Sequence, residues 1–333
     1  MNYIIFGGSG FIGTHLIHLL NELKKDSKDN IFCLDLVMPG EEGVVPGIVE
    51  KNDGVNYVRL DVRKKIDFEF EPTKEDIIFN LAAVHRTPGH ESHEYFETNI
   101  LGAENVTAFA EEKGINKILF TSSIAPYGAS EELKFESTLP TPNTPYGISK
   151  LVAEKIHMVW QAKSSDRELT IVRPGIVFGK GEHGNMTRLY NAIKGHYYFY
   201  AGRKDTIKAC IYVKELVNFI KYRMIDNSFS GTDIFNCTFE PAYTIEQICN
   251  SMMKSTGLSS RIPCINGDLL IFAARIMAPF LGKKGIHPER VKKLMVSTNI
   301  SGKKLADSGY IFHFSLEESY KDWFEDCSFN GLF

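Results

Sequence analysis

Residues 3–13 read Tyr3-Ile4-Ile5-Phe6-Gly7-Gly8-Ser9-Gly10-Phe11-Ile12-Gly13. Four strand-forming apolar residues run into a glycine cluster, and from Phe11 to Lys24 apolar residues recur at three and four residue spacing, the period of a helix. In a strand-to-helix turn glycines permit the tight bend, let the backbone approach a pyrophosphate and let helix and strand pack closely. The helix start adds free N–H groups and positive potential. The pattern reads as GxGxxG from Gly8 or as GxxGxxG from Gly7. Alone it is also a plain strand–helix connection.

The alternation continues outward from this turn. Strands are expected near residues 2–6, 31–35, 56–60, 76–82, 117–122 and 169–173, with crossover helices over Phe11–Lys24, Ser92–Lys113 and Pro145–Lys163. Such βαβ units predict an α/β fold, a doubly wound parallel sheet. After Pro174 the alternation breaks into glycine turns at Gly179, Gly181 and Gly184, an aromatic run from Tyr197 to Tyr200, and helical patterns at 212–224 and 244–255. We therefore expect a dinucleotide-binding domain over 1–174 and a smaller, mainly substrate-binding α/β domain over 175–333. Some segments of the second are expected to return to the first, with a cleft between them.

The 333 residues are 43% hydrophobic and 24% charged, which excludes disordered and fibrous classes. A balance of 38 basic and 41 acidic residues gives no electrostatic footprint for nucleic acid. The cysteines at 33, 210, 237, 249, 264 and 327 form no CxxC pair, so neither a zinc site nor a disulfide scaffold is expected; no metal is called for. No secretory leader is legible before Tyr3, and the apolar stretch Leu269–Leu281 is shorter than a span needs and carries Arg275 and Pro279. A cytoplasmic location is the expectation.

Asp35 lies 22 residues past Gly13, at the end of the second strand. Its carboxylate would accept from the adenosine ribose hydroxyls and repel a 2′-phosphate, favouring NAD over NADP. Asp61-Val62 follows the third strand and Asn80-Leu81-Ala82-Ala83 ends the fourth, both at the carboxyl edge where open α/β sheets bind ligands. Asp61 is either an acceptor for the adenine amino group or a cap of its own loop. Tyr146-Gly147-Ile148-Ser149-Lys150 puts a phenol and an ammonium on one helix face. A lysine there is expected to lower the phenol from about 10 toward working pH, as a general base requires. Thr121-Ser122-Ser123, at the end of the fifth strand, supplies a hydroxyl for the same substrate oxygen.

GGSGFIG, Asp35, Asp61-Val62, NLAA, TSS, YGISK and Arg173-Pro174-Gly175, in that order and spacing, resemble the extended short-chain dehydrogenase family of NAD-dependent sugar epimerases and dehydratases. The resemblance runs from about residue 2 to 325, since Lys304–Trp323 is similar to the family's closing helix–strand–helix pattern. It implies a Rossmann domain with Ser123, Tyr146 and Lys150 as catalytic residues and Asn99 as structural support for the site. The implied cofactor contacts are Gly7, Gly10, Phe11, Ile12, Gly13, Asp35, Asp61, Val62, Leu81, Ala82, Ala83, Asn99, Tyr146, Lys150 and Pro174. On the substrate side the resemblance implies Ser123, with Asn185 and Lys208 at the diphosphate end. Lys208 stands where an arginine is usual, which keeps the charge and loses the bidentate fork. Arg290 is a further phosphate candidate or an ordinary helix-surface arginine, and His85 a substrate contact or a loop residue.

Family members that dehydrate or decarboxylate resemble one another in having acidic residues after the catalytic hydroxyl. Here Ser123 is followed by Ile124-Ala125-Pro126, which leaves 4-epimerases and 4-keto-sugar reductases. Reductases often prefer NADPH, which Asp35 disfavours, so NAD-dependent 4-epimerisation ranks first. An NAD-sensing regulator would need no catalytic base, and the complete set argues against it. His85-Arg86, the RPGIVFG run, GNMTRLY and the 269–281 segment resemble the epimerases that act on polyprenyl-diphosphate-linked N-acetylglucosamine in surface polysaccharide assembly. That implies a sugar-nucleotide or polyprenyl-diphosphate substrate. The 269–281 helix, ahead of Lys283-Lys284, either rests on a bilayer surface or is buried core. The family also implies a homodimer through the YxxxK helix and its neighbour.

Overall fold

The structure, a computed structural model, describes residues 1–24, 28–41, 52, 54–85, 90–272, 275 and 294–333. Seven parallel strands form the main sheet: β1 (Asn2–Phe6), β2 (Asn30–Asp35), β3 (Val55–Arg59), β4 (Ile77–Asn80), β5 (Lys117–Thr121), β7 (Glu168–Pro174) and β11 (Gly231–Cys237). Their order is β11-β7-β5-β4-β1-β2-β3, so the direction of winding reverses between β1 and β4. Crossover loops diverge there and leave a crevice at the carboxyl edge, where such sheets bind ligands. The strands read as nearly unbroken apolar runs because both faces are covered: β1 and β4 are buried throughout.

One face packs on α1 (Phe11–Leu23) and α5 (Val213–Met224), through Leu16, Leu20, Leu216 and Ile220. The other packs on α2 (Ser92–Lys113) and α3 (Pro145–Ala162), through Val106, Ala110, Ala153 and Trp160. Both α5 and β11 come from beyond residue 174; β11 completes the main sheet against β7, from Gly231 beside Glu168 to Cys237 beside Pro174. The remaining carboxyl-terminal segments, among them β8 (Ile176–Phe178), α4 (Asn185–Lys194), β10 (Cys210–Tyr212) and α6 (Ile245–Thr256), gather around Phe178, Tyr212, Tyr320 and Trp323. Short parallel pairs brace this part: β8 with β10, β9 (Tyr200–Ala201) with β12 (Cys264–Ile265), and β6 (Ser130–Lys134) with β13 (Thr298–Ile300).

The closing segment departs from the expected helix–strand–helix. Helices at Lys303–Ala306 and Leu316–Asp326 flank a stretch with no strand. The N–H groups of His313 and Phe314, which a ladder would use, both donate to one Glu215 carboxylate oxygen at 2.5 Å. A buried carboxylate thus replaces the neighbouring strand.

Candidate active site

Gly7 leaves β1 with φ of +78°, and its N–H donates to the Leu34 carbonyl at 2.9 Å. A Cβ on Gly7 would stand 2.6 Å from the Ala82 nitrogen, and one on Gly13 would stand 2.6 Å from the Gly7 oxygen. The turn can therefore press against the chain leaving β4, where Leu81 donates its N–H to the Phe6 carbonyl at 2.9 Å. Gly10 caps α1 without a side chain, and the first α-type bond of the helix runs from the Thr14 N–H to the Gly10 carbonyl. The N–H groups of Phe11, Ile12 and Gly13 precede that bond, so the helix start offers donors to an anion.

At the end of β2 the Asp35 carboxylate accepts the Ser9 N–H at 3.0 Å, tying the glycine turn to the neighbouring strand. Burial pushes its carboxyl above the usual range, against the backbone N–H groups of Ser9, Val37 and Leu36. Asp61 is engaged by Arg63, whose Nε and Nη2 donate at 2.9 and 2.7 Å, and caps its own loop through the Arg63 N–H. These bonds hold its carboxyl below the ordinary range. Val62 is buried with its side chain against Gly102 of α2. Asn99 is buried between two parts of the site: its amide oxygen accepts the Val84 N–H, and its amide nitrogen donates to the Val84 carbonyl and the Ser149 hydroxyl.

Thr144-Pro145 starts α3. The Thr144 hydroxyl accepts the Gly147 N–H at 3.1 Å, and Pro145 occupies the first helical position, where its missing N–H has no partner to lose. Tyr146 falls in the first turn and Lys150 one turn further, under the end of β5. A Cβ on Gly147 would stand 2.8 Å from the Ala125 carbonyl oxygen, so this glycine lets α3 close on the turn that carries Ser123. The Ser123 hydroxyl accepts the Ala125 N–H at 3.1 Å and also engages the Tyr146 phenol.

Lys150 is 2% exposed; its Nζ donates to the Thr121 carbonyl at 2.8 Å and lies 4.9 Å from the Phe120 ring centroid. Burial pushes its ammonium down to about 7, opposed by Glu154. The half-buried Tyr146 phenol is pushed up to about 12 by burial, with Ser123 pulling it down and Tyr95 adding to the rise. The lowering expected from Lys150 is not found: the lysine is tied to Thr121, and burial dominates the phenol.

The residues expected on the substrate side gather around β10 and its approach. A Cβ on Gly175 would stand 2.5 Å from the Ala209 oxygen, so the chain leaving Pro174 lies directly against the segment that carries Lys208. Lys208 donates to the Val296 carbonyl at 2.8 Å, and burial pushes it down to about 8. Beside it, Arg203 donates to Glu131 and to Ser297, and Arg203 together with the Ser297 N–H and hydroxyl holds the Glu131 carboxyl down to about 2. Asn185 is exposed at the start of α4, where its amide oxygen accepts from Arg188 at 2.8 Å. The free N–H groups of that helix start, Met186 and Thr187, are taken by Glu182. His85 is exposed on the loop after β4. Arg86, Arg290, Lys283 and Lys284 lie outside the described residues.

Sequence spacing alone passes over Gly147, Gly175, Arg203 and Glu131, because each acts through a contact distant in the chain. A reversing parallel sheet with a glycine turn at its switch point, and Ser123, Tyr146 and Lys150 at the same edge, defines an enzyme of the dinucleotide-dependent short-chain dehydrogenase class. Residues 3–237 match the model of the NAD dependent epimerase/dehydratase family, and the chain belongs to that family. It is 28% identical over 328 residues to the N-acetyl-alpha-D-glucosaminyl-diphospho-ditrans,octacis-undecaprenol 4-epimerase of Escherichia coli O157:H7, covering 95% of this chain and 92% of that one. It is also 28% identical to the UDP-glucose 4-epimerase of Vibrio cholerae, over 70% of this chain and 69% of that one. In fold it is similar to the UDP-glucose 4-epimerase of Thermotoga maritima with UDP-glucose, at TM-score 0.72 and 19% identity over 98% and 99% of the chains. The UDP-glucose 4-epimerase of Thermus thermophilus in complex with NAD gives 0.71 and 20% over 98% of each.

Proposed function

We propose that this chain is an NAD-dependent 4-epimerase acting on a diphosphate-linked N-acetylhexosamine, with polyprenyl diphosphate as the carrier. The observation that carries the reading is the meeting of Ser123, Tyr146 and Lys150 at the carboxyl edge, with no carboxylate on the turn from Ser123 to Pro126. The glycine turn and the start of α1 would hold the pyrophosphate, and Asp35 the adenosine ribose, in keeping with NAD. NAD held there would supply reversible hydride transfer at sugar C4. Tyr146 removes the O4 proton, Ser123 holds that oxygen, and Lys150 stabilises the phenolate. The same phenol gives the proton back, so no net reduction occurs.

The carrier is supported by the undecaprenol-linked relative, whose similarity runs along almost the whole chain. It is also supported by the start of the apolar segment, where Leu269 and Phe272 are 60% and 61% exposed rather than buried in core. Among the described residues no helix is long and apolar enough to cross a membrane. The lipid carrier would put the enzyme at the inner face of the cytoplasmic membrane, resting on it through this segment. A homodimer through α2 and α3 belongs to the same reading: Leu101, Ile148, Val152 and Val159 form an exposed apolar stripe on the packed pair, suited to a two-fold contact.

Proton NMR of undecaprenyl-diphosphate N-acetylglucosamine and of UDP-N-acetylglucosamine, each with catalytic NAD, tests the function. Appearance of the C4 epimer from the lipid-linked sugar without net NADH is expected. Conversion of the UDP sugar alone overturns the carrier. Conversion of neither, with stoichiometric NADH consumed by a 4-keto sugar, replaces epimerisation by reduction.

A further inference from the structure

Below the Tyr146–Lys150 turn, α3 continues with polar residues where a core helix normally carries apolar ones. Glu154 and His157 are fully buried, and Lys150 is nearly so. Spaced by four and three residues, they form one stripe facing the sheet. Glu154 occupies the centre. Its Oε1 accepts from Arg173 Nε at 2.8 Å and from the Ser122 hydroxyl at 2.5 Å, and its Oε2 accepts from Arg173 Nη2 at 2.6 Å. Arg173, itself 2% exposed, donates a third bond to the Tyr127 hydroxyl at 2.5 Å, and Tyr127 donates to the Asn236 amide oxygen at 3.0 Å.

Every element that carries the catalytic set enters this network. Glu154 is on the Tyr146–Lys150 helix, one turn past the lysine. Ser122 is the residue before Ser123, and its N–H donates to the Val172 carbonyl at 2.8 Å. Arg173 is the next residue of β7, and the Pro174 carbonyl accepts the Ile124 N–H at 3.1 Å. One carboxylate therefore ties α3, the end of β5 and the end of β7 within a turn of the reacting groups.

We propose that Glu154, clamped by Arg173 and Ser122, is a positioning residue that fixes Ser123 and Lys150 relative to one another. This rests on the active site assigned under the proposed function. On α3 itself, His157 is held neutral: burial pushes it down to about 4, its ring stacks 4.2 Å from Phe120, and its nitrogens face the Ala153 carbonyl and the Asn80 amide. From β5 the lysine meets the Thr121 carbonyl and the Phe120 ring, and from β7 a guanidinium already spent on Glu154. Ser123 lies beyond Tyr146, and from α2 Tyr95 places its ring 6.1 Å from that of Tyr146. A buried ion pair adds little net stability against apolar residues of the same volume, so its retention here fits a positioning use.

The test reads the Tyr146 phenol directly and needs no sugar. In NAD-loaded protein, the ultraviolet phenolate signal is titrated against pH and corrected by the same protein carrying Tyr146→Phe, which removes the other tyrosines from the difference. Glu154→Gln keeps the shape and an acceptor for Arg173. We expect its Tyr146 phenolate to form about one pH unit higher than in the wild type, because Ser123, no longer fixed through Ser122, gives up the hydrogen bond that favours the phenolate. Glu154→Met with Arg173→Met removes the pair without leaving a bare cation in the core, and is expected to show the same displacement. Glu154→Asp, which keeps the charge, is expected to stay within about half that shift. Titrations of Glu154→Gln and of the double variant that superimpose on the wild type overturn the proposal, as does a uniform loss of rate at every pH with an unmoved phenol. A wild-type protein that titrates as expected yet epimerises neither sugar overturns the function alone.

Discussion

The catalytic edge and the substrate side of the cleft handle charge in opposite ways. Under α3, Lys150, Glu154, His157 and Arg173 are at most 2% exposed, and each is hydrogen-bonded: Lys150 to Thr121, Glu154 to Ser122 and Arg173, and His157 to Ala153 and Asn80. Around Lys208 the ions are open to water: the Arg203 and Glu131 side chains are 38% and 52% exposed, and their partner Ser297 sits on a different part of the chain. Desolvated groups are costly to bury and strongly coupled, so a small displacement of one changes the proton affinity of its neighbours. Solvated groups are screened and can be rearranged at little cost. The difference teaches that the frame behind the proposed reacting groups is dry and over-determined, whereas the surface around Arg203 and Glu131 is solvated and more easily rearranged.

The sharpest way to break that contrast is Tyr146→Phe. Turnover is expected to fall about 10³-fold with NAD affinity unchanged, the scale of a lost general base, measured by epimer formation and by NAD fluorescence titration. Retention of most activity would remove the phenol from the mechanism. Gly147→Ala probes the frame without touching a reacting group. Its new methyl meets the Ala125 carbonyl, so α3 must back away from Ser123, and kcat is expected to drop about 10²-fold in a protein that still folds cooperatively. A variant with wild-type kcat would show that the close approach is packing alone.

On the wet side, Lys208→Met is expected to raise KM about tenfold with kcat nearly unchanged, since it removes uniform binding of a phosphate. A fall in kcat with KM constant would move Lys208 into the reacting frame. The smallest effect concerns stability. A histidine that titrates near 6.5 when unfolded and at about 4 when folded binds its proton preferentially in the unfolded chain, so its penalty grows as pH falls from about 6.5 through about 4. His157→Phe should therefore lose on the order of 2–3 kcal/mol less unfolding free energy than the wild type between neutral pH and about pH 4, by urea denaturation at each pH. Parallel pH curves would place His157 outside the titrating core.

Much of the fold was legible because it is written locally. The run from Tyr3 to Gly13 carries both the strand-to-helix turn and the free N–H groups of α1, and the expected crossover helices at 92–113 and 145–163 fall within a residue of α2 and α3. Asp35 and the Tyr146–Lys150 pair were equally readable, since one spacing fixes a strand end and the other a helix face. The span around 304–323 was less so. Its alternating aromatics look like a strand until Glu215, some hundred residues earlier, takes the N–H groups a strand would pair.

The sequence by itself determined the parallel alternation, the anion-ready turn and the placing of a phenol and an ammonium on one helix face, because these depend on neighbours within about four residues. The tertiary structure alone decided that Gly147 and Gly175 are contact points, that Lys150 is dry and tied to Thr121, and that Arg173 and Ser122 converge on Glu154. Burial and long-range hydrogen bonding set those properties, and both arise when strands distant in the chain are brought side by side.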